Sequence, residues 1–93
     1  MLGRSTSLPS VVMSERVAEA VFSALGRHLG MPGEAIQSRA NEGLEVLGFD
    51  HQSLMQVLLD IERELGIAEL KVGDDALATP ASLVLGVVAV AGG

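Results

Sequence analysis

Asp50-His51-Gln52-Ser53-Leu54-Met55-Gln56-Val57-Leu58-Leu59-Asp60-Ile61-Glu62-Arg63-Glu64-Leu65-Gly66 is the stretch that decides the fold. Leu54, Val57, Leu58, Ile61 and Leu65 recur at the three- and four-residue steps that gather side chains on one face of an α-helix. Asp50 is a strong N-cap, because its carboxylate can accept from backbone N–H groups that the first turn leaves unpaired. Gly66 supplies the stop. Asp60, Glu62, Arg63 and Glu64 fall largely on the outer side. The pattern predicts a helix over Asp50–Leu65 with a single buried stripe.

Upstream, Val17, Val21, Leu25 and Leu29 repeat every four residues, and Ala18 and Phe22 widen the same stripe. A helix is expected from Ser14 to about Leu29, with Ser14 as its cap and Glu15 in the first turn, where the helix dipole favours an anion. Gly30-Met31-Pro32-Gly33 ends it. Residues 31–49 form a long connection, with one helical turn near Glu34–Ser38 and with Ile36, Leu44, Val46 and Leu47 as its apolar anchors. Such a length in so small a chain points to a packing or binding role.

Downstream, Lys71-Val72-Gly73-Asp74-Asp75 predicts a turn and a short third helix. Thr79-Pro80 places a capping residue before a proline at the first helical position. Leu83, Val84, Val87, Val88 and Val90 then form an apolar final helix that frays at Gly92-Gly93. No window alternates with period two, so strands are not expected. The expectation is an all-α domain over residues 13–91, a four-helix bundle of three main helices and one short one, preceded by a flexible tail over residues 1–12.

Composition narrows function. The chain has 93 residues, enough for one domain, and 48% of them are hydrophobic, enough for a core. The absence of cysteine excludes a disulfide scaffold and thiolate metal sites. With no tryptophan or tyrosine, and only Phe22 and Phe49, there is no aromatic platform for single-stranded nucleic acid. A net charge of −6 has the wrong sign for phosphate backbones, so nucleic acid is not an expected partner. Arg4, Arg16 and Arg27 outnumber Glu15 and Glu19 in the first third, so the acidity lies in residues 34–93 and suits partners with basic docking faces, or simply solubility. No apolar run reaches the roughly 18 residues needed to span a membrane, and the most apolar one, Leu83–Ala91, is broken by Gly86. A soluble, cytoplasmic, monomeric protein with no membrane partner is expected.

The order of these elements, together with Leu47-Gly48-Phe49-Asp50, the helix Leu54–Leu65 and the exit Gly66-Ile67, resembles the acyl carrier protein family. The run Asp60-Ile61-Glu62-Arg63-Glu64-Leu65-Gly66-Ile67 is similar to that family's closing pattern, and the resemblance covers about residues 14–90. It implies an acyl-carrier-like fold and service in fatty acid or polyketide type thioester biosynthesis, alongside synthase or transferase enzymes of acyl chain assembly. It also implies a 4'-phosphopantetheine arm joined to a serine that directly follows the aspartate, at a helix start whose free N–H groups favour a phosphodiester. A carrier of this kind would hold its acyl chain in a cleft lined by residues such as Leu54, Val57, Leu58 and Ile61.

The chain departs from the family at that serine. His51 stands in its slot, fifteen residues before Gly66, and Ser53 is the only nearby hydroxyl. Moving Ser53 into the slot would rotate the helix by about 200 degrees. The candidate cofactor-binding residues are Asp50, His51 and Ser53, and the alternatives stay open: Ser53 as a displaced attachment site, a non-carrying docking or regulatory module for a synthase-type partner, or chemistry at His51. By analogy with the family's docking helix, Gln52, Met55, Gln56, Leu59 and Glu62 are the candidate partner-binding residues.

No catalytic residue is assigned, because His51 lacks a nucleophile or a partner carboxylate at suitable spacing, with Asp50 expected to act as the cap. No metal site is expected from two histidines without helical i, i+4 pairing. Asp74-Asp75 lacks the spaced ligands of a calcium loop and is expected to cap a turn. His28, near the end of the first helix, is expected to favour the helix dipole there.

Overall fold

The longest element, α1, runs over Pro9–Leu29 and is followed by two short helical turns, α2 (Gly33–Gln37) and α3 (Leu44–Leu47). Next come α4 (His51–Leu65), a 3-10 helix (Asp74–Leu77) and α5 (Pro80–Gly92). The structure is a computed structural model and describes residues 9–92, with side chains described from Ser14 to Ala91. It is the expected small all-α bundle with three main helices; among the described residues there is no strand, and no helix is long and apolar enough to cross a membrane.

α1 packs against α2, α4 and α5, so it is the spine of the bundle. Its stripe Val17, Val21, Ala24 and Leu25 meets Leu54, Val57, Leu58 and Ile61 of α4 and Leu83 and Val87 of α5 in one continuous core. Ile36, Leu44, Phe49 and Leu70 plug the core from the connections. The buried set of α4 is the stripe read from its sequence, and Leu65 packs against its edge. Leu54, Val57, Leu58 and Ile61 are packed side chains of the interior, as the stripe predicts.

Three elements differ from expectation. α1 starts at Pro9, not Ser14, because proline suits the first helical position and nothing between it and Ser14 breaks a helix. Ser14 and Glu15 are therefore interior to α1 rather than its cap and first turn. Of the tail expected over residues 1–12, residues 9–12 belong to α1 and residues 1–8 lie outside the described residues. The connection holds a second turn, α3, besides the expected one, so two short helices stand where one was expected there. The short third helix is present as the 3-10 helix, a few residues later than its turn signal.

The connection is stitched to the start of α5 through its backbone. Leu44 N–H donates to the Ala78 carbonyl at 2.9 Å, and Ala81 N–H, an orphan donor in the first turn of α5, donates to the Ala40 carbonyl at 2.9 Å. Thr79 caps α5 as expected: Ser82 N–H donates to Thr79 Oγ1 at 3.0 Å, and Thr79 N–H donates to Ser82 Oγ at 2.9 Å. Two glycines permit close approach. A side chain on Gly26 would collide with the Met31 carbonyl oxygen as the chain folds back after α1, and a Cβ on Gly86 would lie 2.6 Å from Ala76 Cβ where the 3-10 helix rests on α5.

Candidate functional site at the start of α4

The approach to α4 is set by Gly48 and Phe49. Gly48 ends α3 at φ 111°, a left-handed conformation that glycine adopts without a side-chain clash. That turn drives Phe49 into the core, where it is 3% exposed, and His28 of the last turn of α1 stacks on its ring at 5.4 Å between centroids. His28, expected as a partner of the helix dipole, thus ties the end of α1 to the start of α4.

Asp50 is the N-cap of α4, and Ser53 completes a capping box with it. Ser53 N–H donates to Asp50 Oδ1 at 2.8 Å, and Asp50 N–H donates to Ser53 Oγ at 2.8 Å. The Ser53 hydroxyl has its own proton within reach of Asp50 Oδ1 at 2.9 Å and the Asp50 carbonyl at 3.0 Å. The backbone N–H of Ser53 foremost, and then its hydroxyl, hold the exposed Asp50 carboxyl below the ordinary aspartate range, with a smaller contribution from the charge of His28.

His51 and Gln52 are exposed in the first turn, and His51 has no hydrogen-bond or ion-pair partner among the described residues. Below them, Gln52, Met55, Gln56 and Leu59 stand at i, i+3, i+4 and i+7 and make one exposed face without a charged side chain. The structure brings these four together with Asp50, His51 and Ser53. It does not bring Glu62 into that face as a free group: Glu62 is half-buried, and its Oε2 accepts from Leu70 N–H at 2.8 Å, anchoring the chain that leaves α4. The other acids of this helix end are also engaged, Asp60 with Arg63 at 3.8 Å and Glu64 with Arg27 at 3.2 Å.

The phosphopantetheine arm implied by the family resemblance needs a hydroxyl at the exposed first position of this helix. His51 presents an imidazole there, and the hydroxyl two residues on is held by Asp50 from both sides. The residues present do not fit the arm at the family's position. No group of histidine and acidic side chains that could hold a metal ion exists among the described residues.

Sequence reasoning missed a second surface, a shallow groove between the 3-10 helix and α5 lined by Asp75, Ala76, Ser82, Leu85 and Gly86. The signal available was the absence of any charged residue from Pro80 to Gly92, which leaves part of an apolar helix facing water. No protein-family model, no curated protein and no solved structure matches the chain.

Proposed function

We propose that this chain is an acyl-carrier-like domain of thioester-based acyl chain assembly that serves as a docking or regulatory module, without an arm of its own, for a synthase- or transferase-type enzyme. The observation that carries this reading is the capped start of α4. An exposed helix start of the carrier type bears an imidazole where the arm would attach, and the nearby Ser53 hydroxyl is committed to the cap. Docking uses the uncharged face Gln52, Met55, Gln56 and Leu59, so apolar fit contributes more than charge steering. The domain works as a cytoplasmic monomer and has no catalytic centre of its own.

The test is intact mass after incubation with coenzyme A and a broad-specificity phosphopantetheinyl transferase. The expected result is no gain for the native chain and a gain of one phosphopantetheine for His51→Ser. A gain by the native chain that is lost in Ser53→Ala overturns the arm-free reading and makes the protein a working carrier with a displaced site. Failure of His51→Ser to accept the arm from several such transferases counts against the carrier resemblance itself.

A further inference from the structure

We propose that the groove between the 3-10 helix and α5 is a second docking surface, which takes an apolar side chain flanked by lysine or arginine from a helical segment of a partner protein. Three observations converge on it. Leu85 is 70% exposed on a helix that carries no charge, so one of the two leucines of α5 is left in water. Beside it, Gly86 and Ala76 form a low floor, because neither raises a side chain beyond Cβ. Asp75 lines the groove and Asp74 precedes it in the chain; both are exposed and make no ion pair among the described residues, whereas the acids of α4 are engaged within the bundle.

Charge selects the occupant. An apolar floor edged by the Asp75 carboxylate, with the exposed Asp74 next to it in the chain, complements an apolar side chain with cationic neighbours. A second copy of this chain is disfavoured, because pairing this face with itself brings the Asp75 rims together between two molecules of net charge −6. The surface uses none of the α4 face, so it stands or falls separately from the proposed function.

The experiment follows backbone amide shifts of the isotope-labelled full chain during titration with a synthetic amphipathic helix of about fourteen leucines and lysines. Shifts centred on Ala76, Ser82, Leu85 and Gly86 are expected. Leu85→Ser should weaken binding about tenfold. The double change Asp74→Asn, Asp75→Asn should weaken it and remove most of its salt dependence. The substituted side chains are exposed, and circular dichroism checks that the variants remain folded.

Several outcomes overturn the proposal. Shifts centred on Met55 and Leu59, or unchanged affinity in Leu85→Ser, place the peptide elsewhere. Equal binding by the same peptide with glutamate for lysine removes the charge argument. Shifts at Leu85 and Gly86 that track the chain's own concentration make the occupant a second copy. Shifts there on deletion of residues 1–8 make it the chain's own terminus.

Discussion

Gly86→Ala inverts the usual sign of a helix substitution. In an exposed helix interior, replacing glycine with alanine stabilises by about 1 kcal/mol, because the backbone loses less entropy on folding. Here the added Cβ would lie 2.6 Å from Ala76 Cβ and 3.4 Å from Val72 Cγ1, and ordinary contact begins near 3.4 Å. α5 and the 3-10 helix must therefore separate by about 0.8 Å, and a Cβ has no rotamer through which to yield. Overpacking of this kind costs about 1–3 kcal/mol, towards the upper end when both atoms are fixed to backbone. The net expectation is a loss of about 1–2 kcal/mol, read by calorimetry as a fall in Tm of roughly 5–10 °C. The double variant Ala76→Gly, Gly86→Ala removes the clash and should recover most of that loss, with a coupling of at least about 1 kcal/mol in the cycle. A rise in Tm for Gly86→Ala alone would refute the close approach of these two elements, and with it the floor of the proposed groove.

Ile61→Ala, at a fully buried position of the α4 stripe, should destabilise by about 2–4 kcal/mol in urea unfolding, and an unchanged midpoint would contradict the core assignment. Glu62→Ala leaves the part-buried Leu70 N–H without its acceptor; a cost of about 1–3 kcal/mol and faster amide exchange at Leu70 are expected, and exchange as slow as in the native chain would dismiss that anchor. Asp50→Asn tests the cap through pH. Because the folded carboxyl titrates below its unfolded value, its contribution is present above the unfolded value near pH 4 and is lost as pH falls through the lower folded one. The native chain should exceed Asp50→Asn in Tm at pH 7 and lose that advantage in acid, and a difference independent of pH would assign it to something other than the carboxylate.

Elements whose signal is local were legible in the chain. The α4 stripe, the Asp50 cap, the Thr79-Pro80 start and the stop at Gly66 each depend on residues within a turn or two of one another, and all are present in the structure. The start of α1 was less legible, because Ser14 is a good cap, yet no breaker precedes it until Pro9. The histidine in the serine slot was legible, but the commitment of Ser53 to Asp50 required the geometry of the first turn.

Contacts between distant segments set the rest. Glu62 has the same local pattern as its exposed neighbours, and only the return of Leu70 beneath it turns a surface acid into a backbone anchor. α3 forms because the chain before α4 is hydrogen-bonded to the start of α5, a constraint with no periodicity of its own. α5 is apolar on all sides, so its sequence carries no record of which face is covered. The approach of the 3-10 helix over Gly86, with Leu85 left outside, settles that, because burial is fixed by what packs against a helix and not by the helix alone.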